Sequence, residues 1–388
     1  MSSPTTTVQF SRQTVASLGA AIACIVSVGI GLSLSIPLLS FALDAKGASR
    51  TVIGLNTAMA GVATIVCAPF ISGWARRFGV RTLLVAATLL AGVSLLAFQI
   101  VEPLWAWFPL RFVFSVALTI LFVLSEYWIN AAAPEQRRGL VLGIYASALS
   151  VGFAAGPYVL ILLGASGPAP YFAGAGLIIL AMLPVLVARD MIPTIDEEPS
   201  SGFVTFLWAA PAATLAALVF GSAETGAFAL LPLYGTAIGL DVSGAATLVS
   251  LMSLGNLAFQ IPIGLIADRV DRRKVLLACG VVGAVGMLVA TLVTLPLGWF
   301  RALLFVWGGI VAALYTVGLA HLGSRFRGAD LAQANAAFVV MYSAGLMIGP
   351  PLAGAGMDLW PPHGLMATFA ALFSLYVGVV AWRMRTAR

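Results

Sequence analysis

Charged residues are scarce in this chain: 14 acidic and 20 basic residues make up 9% of its 388 positions. Apolar residues make up 61%. They occur in runs of roughly twenty residues, long enough to cross the ~30 Å hydrocarbon layer of a bilayer. A soluble core of this size cannot bury so much hydrocarbon. The composition therefore excludes a soluble protein and indicates one whose solvent is the membrane.

Cysteine and histidine are also rare, which excludes several kinds of site. Cys24, Cys67 and Cys279 all lie in apolar runs without CxxC spacing, so we expect them to pack rather than to bind metal. His321 and His363 are too isolated for a metal site. No P-loop, HExxH or GxSxG pattern occurs. The sequence therefore predicts no ATP-driven pump, no enzyme and no cofactor.

The apolar runs predict an all-α membrane protein with twelve transmembrane helices. The runs are rich in Leu, Ala, Val and Gly and do not alternate with polar residues, which argues against a β-barrel. The predicted spans are residues 14–42, 51–74, 82–101, 104–128, 139–164, 170–188, 205–235, 243–267, 275–296, 299–322, 330–356 and 364–383.

Basic residues cluster on one side of the predicted membrane. With the N-terminus in the cytoplasm, most of the 20 Lys and Arg residues fall in cytoplasmic segments, and only Lys46, Arg50 and Arg301 fall in the opposite loops. Because positively charged loops stay in the cytoplasm, we expect both termini there. The net charge of +6 is then a signal of topology and does not indicate nucleic acid.

The two halves of the chain share a sequence pattern. Ala75-Arg-Arg77 after the second span recurs as Ala267-Asp-Arg269 after the eighth. At nearly the same offset, a pattern of the fifth span recurs in the eleventh, where Gly152, Gly156 and Pro157 correspond to Gly345, Gly349 and Pro350. These six positions are candidates for close helix packing or bending and, alternatively, for a mobile hinge.

This repeat predicts two parallel six-helix bundles, residues 1–189 and 204–388, joined by a hydrophilic cytoplasmic linker at 190–203. Halves of this kind, related by an axis along the membrane normal, are one recurring plan of secondary transporters, with the solute site between them near the midplane.

The loop after the eighth span carries a specific motif. Gly264-Leu-Ile-Ala-Asp268-Arg269-Val-Asp-Arg272-Arg273 resembles the GxxxDRxGRR loop of the major facilitator superfamily, with Asp271 in place of the second glycine. The first-half copy departs further, because Arg76 stands where the family has Asp. Two other segments resemble family patterns: Arg111-Phe-Val-Phe-Ser115 is similar to its RxxxG stretch, and Glu126-Tyr-Trp-Ile-Asn130 is similar to a bacterial inner-membrane branch.

The resemblance covers essentially the whole chain and implies a secondary transporter of the bacterial inner membrane that works by alternating access. It also implies a gate at the cytoplasmic end, where charged contacts of the motif loops hold the two halves together. The implied gate residues are Arg76, Arg77, Gly264, Asp268, Arg269, Arg272 and Arg273.

Two ionisable residues inside the spans are the sharpest functional candidates, since each costs roughly 2.5 to 3.5 kcal/mol on insertion scales. Arg111 in the fourth span and Glu224 in the seventh are expected at similar depth below the outer surface. We expect Glu224 to couple protons and Arg111 to be its charge partner across the two halves.

Further polar and aromatic residues share faces with these charges at 100° per residue. Each has an alternative role in hydrogen bonding between helices or in ordinary packing. The candidate solute-binding residues, besides Arg111 and Glu224, are Ser115, Glu126, Tyr145, Phe228, Asn256, Gln260, Tyr315 and Tyr342.

The sequence thus predicts a monomeric, proton-coupled exporter of a small organic solute, surrounded by membrane lipid. One alternative is uptake of an organic anion by proton symport, with Arg111 as the carboxylate or phosphate anchor. The other, from a different class, is a non-transporting membrane enzyme or sensor.

Overall fold

The chain folds into helices throughout the residues that the computed structural model describes, 12–133, 138–188, 210–326 and 328–386. A 3-10 turn, Leu104–Ala106, precedes the fourth helix. The helices are α1 (Arg12–Ala45), α2 (Arg50–Phe78), α3 (Val80–Ala97), α4 (Trp107–Ala132), α5 (Arg138–Leu163), α6 (Ala169–Leu180), α7 (Met182–Val187), α8 (Pro211–Ala237), α9 (Val242–Arg269), α10 (Arg272–Leu292), α11 (Leu297–Arg325), α12 (Gly328–Leu359) and α13 (Gly364–Thr386).

Eleven helical segments of the described chain are long and apolar enough to cross a membrane, and α6 with α7 forms one of them, Ala169–Val187. The apolar part of α5, Ser147–Leu163, adds the twelfth helix. The prediction of an all-α protein with twelve spans in two bundles is confirmed. The predicted linker at 190–203 lies outside the described residues, so the domain bounds stay a prediction.

Successive spans run in opposite directions, with α6 and α7 together as one span, which gives the molecule two ends. We call one the basic end, because it carries Arg76, Arg77, Arg269, Arg272 and Arg325. The opposite end is the far end.

The turns after α2 and α9 occupy equivalent places at the basic end but use different residues. Gly79 adopts a φ of +84°, in the left-handed region that favours glycine. Asp271 has a φ of −52°, and its Oδ1 accepts a hydrogen bond from the Arg273 amide at 2.8 Å, which caps α10. The second turn therefore needs no glycine, which explains why the motif has Asp at this position.

Small residues let two helices pack closely in each half. A Cβ placed on Gly152 of α5 would lie 2.6 Å from the Val26 carbonyl oxygen of α1, and a Cβ on Gly345 of α12 would overlap the Leu218 carbonyl of α8. Gly156 and Gly349 make equally close approaches to the same two partner helices. The repeated glycines therefore form the same helix pairing in both halves. A hinge at these positions stays a prediction.

The two halves meet along α2 and α12. On α2, a Cβ at Gly54 would overlap the Pro350 carbonyl group, and one at Gly61 would lie 2.7 Å from the Met347 amide nitrogen. Gly354 of α12 packs in the same way against the Arg50 carbonyl. These contacts run from the far end to the middle of both helices.

Asp358 closes the far end of this interface. Its carboxylate accepts hydrogen bonds from the Arg50 amide at 3.0 Å, from the Thr51 amide at 2.8 Å and from the Thr51 hydroxyl at 2.6 Å. These amides belong to the first turn of α2, where no intrahelical acceptor exists. A carboxylate at the end of α12 thus caps a helix of the other half.

Candidate functional site

Glu224 lies in the middle of α8, and its side chain is partly accessible. The Tyr342 hydroxyl of α12 donates a hydrogen bond to Glu224 Oε2 at 2.6 Å. A bond this short is typical of a hydroxyl that donates to a carboxylate. The sequence placed both residues in the candidate site, and the structure brings them into contact.

Tyr342 belongs to a group of four packed aromatic rings. The Tyr342 ring lies 5.4 Å from that of Tyr315 and 6.0 Å from that of Phe220, measured between centroids. Phe338 packs edge to face on Tyr315 at 5.1 Å. We call Phe220, Glu224, Tyr315, Phe338 and Tyr342 the Glu224 cluster. Its helices are α8, α11 and α12, so it belongs to the second half.

The absence of a side chain at Gly221 sets the geometry of the cluster. A Cβ there would lie 2.5 Å from the Tyr342 carbonyl oxygen and 3.0 Å from its ring. The backbones of α8 and α12 therefore approach closely beside Glu224, which brings the Tyr342 hydroxyl within reach of the carboxylate.

A second carboxyl group approaches from the first half. Glu126 lies near the basic end of α4, and its side chain is exposed. The neighbouring Ser125 hydroxyl is 3.0 Å from the hydroxyl of Tyr145, which is buried on α5. Tyr315 lies within electrostatic range of both Glu126 and Glu224. The two carboxyl groups belong to opposite halves.

Arg111 is almost fully buried, with 1% of its surface exposed. Its guanidinium lies 5.9 Å from the Phe114 ring, and its Nε has no hydrogen-bond partner in the described part of the chain. Arg111 and Glu224 form no ion pair in this conformation: the described partner of Glu224 is Tyr342.

Arg111 and Glu224 lie at different distances from the far end when measured along their helices. At 1.5 Å per residue, Arg111 lies about 6 Å from the far end of α4 at Trp107, whereas Glu224 lies about 20 Å from the far end of α8 at Ala237. The predicted fourth span begins at residue 104 and the predicted seventh span ends at residue 235, whereas the helices begin at Trp107 and end at Ala237. A charge pair between Arg111 and Glu224 therefore stays a prediction for another conformation.

The remaining predicted residues are more dispersed. Ser115 is buried on α4, where its carbonyl accepts a bond from Thr119. Gln260 donates to Asn256 Oδ1 at 2.7 Å within α9. Phe228 packs on Phe153 of α5, with centroids 5.7 Å apart, and so contributes to the contact between the halves. Of the four aromatic residues predicted to line the solute site, Tyr315 and Tyr342 have rings in contact, and a wall for a solute stays a prediction.

The motif loop forms local contacts. Asp268 pairs with Arg272 of the same loop at 3.6 Å. A Cβ on Gly264 would meet nothing within 4 Å. Arg77 lies over the Phe78 ring at 5.3 Å. Contacts of Asp268 across the two halves stay a prediction.

Sequence reasoning missed Phe220, Phe338 and Asp358. A signal existed for the two aromatic residues: each lies four residues before a cluster member, Glu224 or Tyr342, and therefore on the same helix face. The only hint for Asp358 was a carboxylate at the end of an apolar run. Within the described residues, no group of three or more His, Cys, Asp or Glu side chains is arranged to hold a metal ion.

The amino-acid sequence resembles those of known proteins. The model of the Major Facilitator Superfamily matches residues 21–245 and 213–388. An uncharacterized MFS-type transporter of Bacillus subtilis, YfkF, is 25% identical over 349 residues, which cover 87% of this chain and 88% of that protein. The uncharacterized MFS-type transporter YcaD of Escherichia fergusonii is 22% identical over 78% of each chain.

Two solved structures share the fold. The nucleoside transporter NupG superposes with a TM-score of 0.72 at 14% identity, covering 97% of this chain and 99% of that one. A bacterial homolog of the human lysosomal transporter Spinster, in an inward-facing and occupied conformation, gives a TM-score of 0.77 at 13% identity over 96% of both chains.

Proposed function

Since the chain belongs to the major facilitator superfamily and is a multi-pass membrane transporter of a small molecule, we propose that it exports an organic solute in exchange for protons. The observation that carries the proposal is the Glu224–Tyr342 hydrogen bond beside packed aromatic side chains. The side chain of Glu224 keeps partial exposure in this conformation.

In an apolar site, the ionised and the neutral form of a carboxyl group differ greatly in the free energy of desolvation. As a carboxylate it needs hydrogen-bond donors or a cation, and the Tyr342 hydroxyl supplies one donor. As a neutral acid it needs far less compensation. Binding of a solute next to the aromatic rings of the Glu224 cluster displaces water. Loss of water favours the neutral acid over the carboxylate. Solute binding and proton binding are thereby coupled through one group.

The conformation described here corresponds to a state of the transport cycle in which the far end is closed. At the far end, Asp358 joins α12 to α2 across the two halves, and Gly54 and Gly354 pack close beside it. Opening of that end requires these contacts to separate. We propose that the basic end faces the cytoplasm, as the distribution of Lys and Arg predicts.

The proposal includes a location and an oligomeric state. The protein is a monomer in the bacterial inner membrane, surrounded by lipid, with both termini in the cytoplasm. Residues 1–189 and 204–388 are the two halves that rock about the solute. The alternative of a non-transporting enzyme or sensor is set aside, because the relatives of the chain are transporters.

A measurement of proton movement tests this function. In proteoliposomes with an internal pH dye, candidate solutes identified by thermal shift should drive proton flux opposite to solute flux. Glu224→Gln should lose proton flux while solute exchange down its own gradient continues. Glu102→Gln, in the loop at the far end, is the matched control and should behave as wild type. Solute accumulation by Glu224→Gln at the wild-type level would exclude this role.

Arg111 supports a second candidate function, uptake of an organic anion with protons. A buried guanidinium whose Nε lacks a partner can bind the carboxylate or phosphate of a solute. Under this alternative, solute and protons move in the same direction in the same assay, and Arg111→Ala weakens binding of anionic solutes while neutral ones are unaffected.

A further inference from the structure

An open cavity of about 470 Å³ lies at the basic end, outside the Glu224 cluster. It is formed by the end of α9, the start of α10 and the end of α11. Its size is that of a pocket for a small molecule or a lipid headgroup.

The lining of the cavity has an excess of positive charge. Arg269, Arg273 and Arg325 line it, together with the ion pair of Asp268 and Arg272. The remaining carboxylate, Asp271, already accepts a hydrogen bond from the first turn of α10. Both carboxylates are thus engaged locally, and the guanidinium groups outnumber them.

A buried histidine in the wall has a ring nitrogen without a hydrogen-bond partner among the described residues. His321 is 6% exposed and lines the cavity, yet its Nε2 has no hydrogen-bond partner in the described part of the chain. The Nε of Arg272 is also buried there without a partner. Buried polar atoms of native proteins are nearly always hydrogen-bonded, so unpartnered ones call for a group that the chain itself does not supply.

We propose that this cavity binds a phosphate-bearing anion. Phosphate oxygens match the fork of donors on guanidinium groups, and several of these groups converge on the cavity. The imidazole Nε2 of His321 supplies a further hydrogen bond to the same anion. The start of α10 adds the partial positive charge of a helix N-terminus. The site is separate from the Glu224 cluster and holds whether or not the transported solute is an anion.

Two sources can supply this chemistry: the headgroup of an anionic phospholipid and a free phosphate compound. The ends of three membrane-spanning helices form the cavity, at the level where lipid headgroups lie. The purified full chain in neutral detergent is therefore titrated with short-chain phosphatidylglycerol, with zwitterionic phosphatidylcholine and with inorganic phosphate, and equilibrium binding is measured by native mass spectrometry and thermal shift.

We expect saturable binding of phosphatidylglycerol. Arg273→Gln should weaken it about tenfold, because a charge-assisted hydrogen bond is lost. His321→Phe, which keeps a ring of similar shape, should also weaken it about tenfold, because a hydrogen bond from the imidazole to a charged group is lost. The matched control is Arg385→Gln, an exposed arginine at the same end outside the cavity, and its binding should stay within about twofold.

The outcomes separate cleanly. Preference for phosphatidylglycerol over inorganic phosphate assigns the site to a lipid headgroup, and equal binding of inorganic phosphate assigns it to a free phosphate compound. Equal losses in Arg273→Gln and Arg385→Gln would mean that diffuse surface charge binds the lipid, which overturns the proposal. The absence of saturable binding by either anion overturns it as well. Monodisperse gel filtration of each variant shows that it is folded.

Discussion

At the scale of single residues, Tyr342 decides how Glu224 is held. Tyr315 and Tyr342 are neighbouring tyrosines of one cluster, with ring centroids 5.4 Å apart. Only the Tyr342 hydroxyl bonds to the carboxyl group among the described contacts of this cluster. The pair therefore separates the effect of the hydroxyl from the effect of the aromatic ring.

We predict that Tyr342→Phe slows proton-coupled transport by about tenfold, because it removes a hydrogen bond to a charged group worth roughly 1.5 to 3 kcal/mol. Tyr315→Phe keeps the ring and should change transport by less than about twofold, as expected where no hydrogen bond to a charge is lost. Initial rates in proteoliposomes, at equal protein content, measure both. Equal rates in the two variants would show that the bond to Glu224 has no part in transport.

The sequence predicted the members of this site better than their contacts. Glu224, Tyr315 and Tyr342 stand out because polar groups inside apolar runs are costly. Their meeting depends on how α8 and α12 are rotated, which Gly221 permits by removing a side chain from the interface. A single glycine in a chain with 40 of them carries no such signal.

The predicted contact between Arg111 and Glu224 depended on where their helices end. The predicted fourth span begins at residue 104 and the seventh ends at 235, whereas α4 begins at Trp107 and α8 ends at Ala237. The first turn of α4 begins at Trp107, where the indole nitrogen donates to the Val101 carbonyl and fixes the start of the helix. Such a contact between a loop and a helix cannot be read from hydrophobicity.

At the scale of helices, α12 has small residues on two faces. Gly345 and Gly349 pack against α8 in its own half, and Gly354 packs against α2 in the other half. The glycine repeat therefore predicted a real pairing in each half. The contact of Gly354 with α2 was not predicted, because it depends on how the two bundles dock.

We predict that Gly345→Ala destabilises the protein by about 1 to 3 kcal/mol, the usual cost of overpacking, because its Cβ would overlap the Leu218 carbonyl. Gly378→Ala in α13 is the control. Its Cβ meets nothing within 4 Å, and alanine favours the helix. Thermal unfolding of both variants in detergent should show a lower midpoint for Gly345→Ala alone. A wild-type midpoint for that variant would mean that the helices separate at no cost.

At the scale of the whole molecule, the far end is closed by contacts between the halves. Asp358 and Asp241 both accept hydrogen bonds from helix N-termini at this end, Asp358 from α2 of the opposite half and Asp241 from α9 of its own half. The two carboxylates therefore differ in whether their cap joins the halves.

We predict that Asp358→Ala shifts the protein about fivefold toward the state that is open at the far end, because loss of a helix cap costs about 1 kcal/mol. Spin labels at Ile100 and Leu359, exposed positions in the two halves, report the distance in a background without the native cysteines. Asp241→Ala should leave the distribution unchanged. A similar shift in both variants would indicate general loss of stability.

The distribution of charge between the two ends predicts the orientation of the molecule. A fluorescent protein fused after Arg388 should fold and fluoresce, whereas alkaline phosphatase fused at the same point should be inactive, because both report a cytoplasmic C-terminus. Fusions at Lys46, in the first loop of the far end, should give the reverse pattern. An active phosphatase at the C-terminus would invert the proposed topology.

The bond between Asp358 and the start of α2 also has a consequence for biosynthesis. Thr51 and Asp358 are 307 positions apart, so at 5 to 20 residues per second the amides of α2 leave the ribosome roughly 15 to 60 s before their acceptor exists. During that interval the surface of α2 that later meets α12 has no protein partner from the second half. Until α12 is made, this surface of α2 faces lipid or another protein, so its contact with α12 forms late in assembly.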